Sequence, residues 1–214
     1  MGTLLLHDSG TRPYWSRLGE LIESEGLMTR TSFNEKYAEW RTRRDESGDW
    51  REVTLAARLT EVIPALSGQQ RRVGMLVDGY MRDFETRTEP CQGVQAMLEA
   101  WTIAVPLAVV SNFFVAGFPR RLLNRHGLDR YFEFVLDSAE FGYRKPSPKL
   151  FGEALRLASI PPGGVTEVVF VGDDWAADIE GPNQLGMQSV LYSKCESPHR
   201  NVAVIRNWRE FRPW

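Results

Sequence analysis

Cysteine is scarce in this chain: only Cys91 and Cys195 are present, and neither belongs to a Cys-x-x-Cys pair. Such a sequence has no disulfide framework and no pattern typical of thiolate-bound metals. We therefore expect a protein of the reducing cytoplasm without metal–thiolate chemistry.

An excess of charge and a long apolar run are both lacking. The net charge of −2 and the pI near 6.0 argue against a nucleic acid or an anionic membrane as partner. No apolar stretch approaches the length of a membrane span, and no signal peptide is evident. With 43% hydrophobic and 25% charged residues over 214 positions, the chain can bury the core of one α/β domain with an insertion.

One apolar run stops at a glycine and a cluster of acids. Residues 168–171 read Val-Val-Phe-Val, and they are followed by Gly172, Asp173, Asp174 and, slightly later, Asp178. The run is typical of a buried parallel strand, whose carboxyl end is where open α/β folds bind ligands. The three aspartates are candidates for holding Mg²⁺, which prefers oxygen ligands. The alternative is that the acids cap the following helix.

Three further segments accompany this run. Residues 109–112 (Val-Val-Ser-Asn) end a second apolar run, and residues 142–151 contain Lys-Pro-Ser-Pro-Lys-Leu-Phe. Near the amino terminus, residues 3–7 form a short strand pattern that runs into a loop with Gly10 and Thr11. In this order and spacing, the four segments resemble the motifs of the haloacid dehalogenase superfamily. Most members of that superfamily are Mg²⁺-dependent phosphatases, and the resemblance covers roughly residues 3 to 192.

The resemblance implies roles for residues of the last three motifs. Ser111 would hydrogen-bond the transferring phosphoryl group, with Asn112 beside it as a substrate contact. Lys145 would neutralise the nucleophile and the phosphate. Asp173 would bind Mg²⁺, with Asp174 and Asp178 as further candidates, Asp178 supporting the site from the next helix.

The first motif departs from the family pattern, Asp-x-Asp-Gly-Thr. Aligning Gly10 and Thr11 to it makes Thr11 a substrate contact. The same alignment puts His7 at the nucleophile, Asp8 at the variable position and Ser9 at the general acid. Both catalytic carboxylates are then missing.

A missing carboxylate nucleophile matters because that group also binds the metal. Imidazole cannot replace an anionic oxygen ligand for Mg²⁺, and its protonated form would repel the ion. A shift of one residue would let Asp8 take the role of nucleophile. Neighbouring side chains of a strand point to opposite faces, so Asp8 would have to turn toward the ligand where the strand ends.

The alternation of strand and helix patterns predicts an α/β fold. We expect a Rossmann-like parallel sheet with helices on both faces, formed by residues 1–12 and 91–214. The strands ending at His7, Ser111 and Val171 should lie side by side. Residues 13–90 carry apolar side chains at helical spacing, and an insertion at this place in the superfamily is a helical cap, which could also form a homodimer.

Two functions remain open. The first is a protein that binds a small phosphorylated metabolite and has lost the phosphatase chemistry, which makes it a pseudoenzyme. The second is an active phosphoester hydrolase that uses Asp8. We favour the first. We also expect Mg²⁺ binding to be weak or conditional, because one carboxylate seldom holds this ion without substrate phosphate.

Overall fold

The computed structural model describes residues 2–7, 15–193 and 202–211. It divides into two compact units. The core unit comprises Met1–Leu6 and Glu89–Trp214, and the helical unit comprises His7–Thr88. The predicted boundaries at 12/13 and 90/91 therefore lie a few residues later than those of the structure.

The described part of the helical unit, His7 and residues 15–88, contains four α-helices. They are α1 (Ser16–Ser24), α2 (Arg30–Glu46), α3 (Leu55–Val62) and α4 (Gln70–Thr86), with a 3₁₀ turn at Pro64–Leu66. Threonine side chains begin two of them: Thr29 accepts a hydrogen bond from the Ser32 amide, and Thr54 accepts one from the Ala57 amide. These bonds satisfy amides that the first helical turn leaves without a partner.

The apolar residues at helical spacing form the core of this unit. Phe33, Tyr37, Leu55 and Leu59 are almost completely buried, and the rings of Phe33 and Tyr37 lie 5.4 Å apart. The aromatic side chains of α2 therefore pack within the core, as the helical periodicity predicts.

The core unit alternates strands and helices. Its strands are β2 (Thr88–Pro90), which begins at the unit boundary, β3 (Ala108–Ser111), β4 (Phe134–Asp137), β5 (Val169–Gly172), β6 (Gln188–Tyr192) and β7 (Ala203–Ile205). Its α-helices are α5 (Val94–Trp101), α6 (Phe118–Arg125), α7 (Ser138–Phe141), α8 (Pro148–Leu157) and α9 (Gly181–Gln184). A π-helical turn at Trp175–Glu180 precedes α9, and 3₁₀ turns lie at Asp129–Tyr131 and Pro162–Glu167.

Parallel pairing joins β3 to β4, β5 to β6 and β6 to β7. This arrangement confirms the predicted Rossmann-like α/β class. The strands that end at Ser111 and Val171 are present as β3 and β5, although β5 extends one residue further, to Gly172.

The strand that ends at His7 does not follow the prediction. It is β1 (Leu5–His7), and among the described residues it pairs with β2 and not with β3 or β5. The reason lies just before it, because Thr3 already contacts Asp173 beyond the end of β5. β1 therefore begins after the chain has left the carboxyl edge of the parallel strands.

Within the described ranges, none of the helices is long and apolar enough to cross a membrane.

Tyr192 gives the core unit a measurable dependence on pH. Burial, reinforced by the neighbouring Cys91, raises the pKa of the Tyr192 hydroxyl from 10.0 to about 12. The unfolded chain then ionises first, so the stabilising contribution is complete below pH 10 and is lost as the pH rises toward 12. We expect the free energy of unfolding to fall more steeply across this interval in the wild type than in Tyr192→Phe. Urea titrations at several alkaline pH values would measure it, and equal slopes would contradict it.

Candidate functional site

Lys145 lies at the carboxyl ends of β3 and β5. Its ammonium Nζ donates to the Val110 carbonyl of β3 at 3.0 Å and to Asp178 Oδ1 at 2.7 Å. Both partners of the ion pair are almost buried, with side-chain exposures of 10% and 6%. The ammonium is thus fixed in position in a setting where water screens its charge poorly.

Asn112 holds Lys145 from the other side. Its Nδ2 donates to the Lys145 carbonyl at 2.9 Å, and its Oδ1 accepts from the Lys145 amide at 2.7 Å. Because both ends of the amide are used on one residue, Asn112 positions Lys145. The predicted contact between Asn112 and a substrate stays a prediction.

Asp178 organises the loop after β5. Its Oδ2 accepts from the amides of Asp173 and Asp174 at 3.0 and 3.1 Å, while its Oδ1 accepts from Lys145. Asp178 packs directly over Gly172, because a β-carbon at that glycine would lie 2.2 Å from the Asp178 side chain. Both oxygens of Asp178 are therefore engaged within the protein, and its predicted support of a metal site stays a prediction.

Asp174 caps the helical turn that follows it, which is the alternative to metal binding that the sequence left open. Its Oδ1 accepts from the Ala177 amide at 2.8 Å and caps the π-helical turn. Such a cap satisfies an amide at the start of the turn. That Asp174 and Asp178 bind a metal stays a prediction.

Asp173 is the remaining carboxylate. Part of the residue is exposed, but its carboxylate is packed against the chain at Gly2 and accepts from Thr3 Oγ1 at 2.5 Å. Desolvation raises the pKa of Asp173, with Asp178 adding to the effect and Thr3 and Lys145 opposing it. The predicted metal-binding role of Asp173 stays a prediction.

The described residues provide few converging ligands for Mg²⁺ at this site. Within residues 2–7, 15–193 and 202–211, no group of three or more histidine, cysteine or acidic side chains could hold a metal. Mg²⁺ prefers near-octahedral oxygen coordination and usually combines one or two carboxylates with phosphate oxygens. The predicted weak or conditional Mg²⁺ binding stays a prediction.

His7 is engaged in the helical unit. Its ring stacks on Phe84 with centroids 3.8 Å apart and an angle of 4° between the planes, and its Nδ1 lies 3.4 Å from Thr88 Oγ1. The side chain that contacts Asp173 is that of Thr3. In this structure the His7 ring is a packing group of the helical unit, and its assignment as nucleophile stays a prediction.

The other residues of the predicted first motif, Asp8, Ser9 and Thr11, lie outside the described residues. Ser111 is described and buried at the end of β3, next to Asn112. The structure thus brings Ser111, Asn112, Lys145, Asp173 and Asp178 together at one edge.

Two contributors were missed by reasoning from the sequence, Thr3 and the Val110 carbonyl. The sequence contains one feature that could have pointed to Thr3 as a contributor. The Gly-Thr pair occurs twice, at Gly2-Thr3 and at Gly10-Thr11. Side-chain type carries no signal for a backbone carbonyl such as that of Val110.

The haloacid dehalogenase-like hydrolase family matches residues 2–186 of this sequence. The chain therefore belongs to that family. The match covers all of the residues that meet at the carboxyl edge of β3 and β5.

Individual relatives agree with this assignment. Haloacid dehalogenase-like hydrolase domain-containing protein 3 of Homo sapiens is 37% identical over 137 residues, 59% of this chain and 50% of that protein. The chain thus spans about half the length of this curated relative. Glyceraldehyde 3-phosphate phosphatase of Methanopyrus kandleri is 43% identical over 83 residues, 39% of this chain and 34% of that protein.

The fold has close counterparts among solved structures. A haloacid dehalogenase-type phosphatase from Thermococcus onnurineus superposes with a TM-score of 0.74 over 98% of this chain and 92% of that one, at 19% identity. This similarity supports the fold alone.

Proposed function

We propose that the core unit binds the phosphate group of a small phosphorylated molecule at the edge formed by Ser111, Lys145 and Asp173. The observation that carries the proposal is the fixed ammonium of Lys145, held by Asp178 Oδ1 at 2.7 Å and the Val110 carbonyl at 3.0 Å. A fixed cation at the carboxyl ends of parallel strands is a site for an anion.

The neighbouring groups suit a phosphate. The Ser111 hydroxyl is a donor at the end of β3. The ion pair with Asp178 keeps Lys145 in place without a ligand, so binding orders little of the protein. The phosphatase names of relatives such as the Methanopyrus kandleri protein support a phosphorylated substrate.

Mg²⁺ would bind together with the phosphate. Asp173 would supply one oxygen, and the phosphate would supply others that the protein lacks. We expect Mg²⁺ alone to bind weakly.

Hydrolysis requires a nucleophile that the described part of the site does not provide. Residues 2–7 contain no carboxylate, and the His7 ring stacks on Phe84. We propose that the protein binds a phosphoester without hydrolysing it. Mg²⁺-dependent hydrolysis of p-nitrophenyl phosphate that disappears in Asp8→Ala would contradict this and establish Asp8 as the nucleophile.

Phosphate binding is tested with a pair of lysine variants. Lys145→Met removes the buried cation, whereas Lys149→Met removes an exposed lysine nearby, whose Nζ contacts the Tyr143 hydroxyl at 2.8 Å. We expect calorimetric affinity for inorganic phosphate, with Mg²⁺ present, to fall by on the order of 100-fold in Lys145→Met, since a charged hydrogen bond is lost. Lys149→Met should bind as the wild type does. Equal affinities in all three proteins would refute the site.

A further inference from the structure

Two polar residues are buried at the carboxyl end of β4. Asp137 and Ser138 have only 1% and 0% of their surfaces exposed. Asp137 is the register partner of Ser111 in the parallel pairing of β4 with β3, so the two strand ends lie side by side. Buried carboxylates and hydroxyls need hydrogen-bond partners, and Asp137 and Ser138 find theirs in the segments that carry Ser111 and Lys145.

Ser138 holds the start of the loop that follows β3. Its Oγ accepts from the Phe113 amide at 2.9 Å and donates to the Phe113 carbonyl at 3.1 Å. The rings of Phe114 and Phe118 stack on the Phe113 ring, with centroids 4.6 and 5.2 Å away. Because both backbone groups and the ring of Phe113 are held, the chain just after Ser111 has one fixed course.

Asp137 joins the end of this loop to a second segment. Its Oδ2 accepts at 2.8 Å from the amide of Gly117, which adopts a φ of +72° directly before α6. Its Oδ1 accepts from the Glu140 amide at 2.8 Å and caps α7, the helix that leads toward Lys145. One carboxylate therefore ties the loop after β3 to the segment that carries Lys145.

Asn112 closes the connection between these two segments. Its side chain bonds the amide and the carbonyl of Lys145 at 2.7 and 2.9 Å. The residue that follows Asn112 is the one that Ser138 holds. Ser111 and Lys145 are thus supported from the same place, the end of β4.

We propose, on the basis of the phosphate binding proposed above, that Asp137 and Ser138 are positioning residues of that site. They hold the loop after β3 and the segment before Lys145 in one arrangement, which sets the distance between the Ser111 hydroxyl and the Lys145 ammonium. A spacing that is fixed in advance lets one phosphate contact both groups without ordering the protein on binding.

Three substitutions weaken this hold and leave Ser111 and Lys145 unchanged. Asp137→Asn is almost isosteric, but it replaces one acceptor oxygen by an amino group that faces an amide donor. Ser138→Ala deletes the hydroxyl. Ser138→Cys has a weaker donor and acceptor of similar size, and it serves if the alanine variant does not fold.

Thr54→Ala is the control for a general loss of stability. It removes the hydroxyl that accepts from the Ala57 amide at 3.3 Å, a helix cap in the helical unit. The loss of such a cap destabilises a protein. None of the hydrogen bonds of Asp137 or Ser138 described above involves Thr54.

The Lys145 amide gives a direct readout, because it donates to Asn112 Oδ1 and its proton resonance moves upfield when that bond lengthens. We expect an upfield shift in NMR spectra of Asp137→Asn and Ser138→Ala, a smaller one in Ser138→Cys, and none in Thr54→Ala. Calorimetric affinity for inorganic phosphate, with Mg²⁺ present, should fall by on the order of tenfold in the first two variants. It should be unchanged in Thr54→Ala.

Two results would overturn the proposal. One is a Lys145 amide resonance that stays at its wild-type position in the folded variants, which would confine the hold to the loop after β3. The other is a shifted resonance with the phosphate affinity of the wild type. The failure of the proposed function looks different, because the wild type itself would then bind no phosphate, and the Lys145 resonance would still show whether Asp137 and Ser138 hold this segment.

Discussion

Replacing Asp178 with alanine is expected to destabilise the protein by about 3–5 kcal/mol, because it leaves the nearly buried ammonium of Lys145 without its counter-ion. The change also removes the acceptor for the amides of Asp173 and Asp174. Urea unfolding followed by circular dichroism would measure the loss.

Glu153→Ala is the matched control for Asp178→Ala. It also removes a carboxylate paired with a cation at 2.7 Å, but its partner Arg156 is exposed. Exposed pairs contribute little to stability, so no measurable change is expected. A similar small effect in Asp178→Ala would show that the Lys145–Asp178 pair does not organise the site.

Gly172→Ala is the second substitution with a large expected effect. Its β-carbon would lie 2.2 Å from Asp178 Cβ, Cγ and Oδ2, so Asp178 or the end of β5 has to move. Overpacking of this kind costs about 1–3 kcal/mol, and displacement of the Lys145 counter-ion adds to it. We expect a lower thermal midpoint together with weaker phosphate binding.

A second glycine provides the comparison. Gly152 lies within α8, and a β-carbon there meets no atom within 4 Å. Gly152→Ala should raise stability by about 0.5–1 kcal/mol, because alanine loses less conformational freedom in a helix. If Gly172→Ala were as harmless, the close packing of Asp178 over β5 would be wrong.

The positions of candidate side chains can be predicted from the sequence where they follow strand ends, while their roles stay predictions. Ser111 and Asp173 were placed at one edge because parallel strands end together. Lys145 could be placed only through the family resemblance, since it lies on a loop 33 residues from its partners Asn112 and Asp178.

One error originates in how strands pair. A short apolar run predicts a strand but does not say which edge it joins, so residues 3–7 were assigned to the parallel sheet although β1 pairs with β2. The contact between Thr3 and Asp173 is 170 residues apart in sequence, and residue pattern alone does not encode it.

Likewise, an acid after a strand is consistent with both capping and metal binding. In this structure the capping role is visible. The Ala177 amide donates to Asp174, and the amides of Asp173 and Asp174 donate to Asp178. Metal binding by the three aspartates stays a prediction.

The most direct measurement of phosphate binding is an anomalous difference map from crystals soaked in tungstate, an analogue of phosphate, with Mg²⁺ present. If phosphate binds at this edge, we expect a tungsten peak whose oxygens lie within hydrogen-bond distance of Lys145 Nζ and Ser111 Oγ, and no such peak in Lys145→Met crystals. A peak elsewhere on the protein, or a peak at the same place without Lys145, would contradict it.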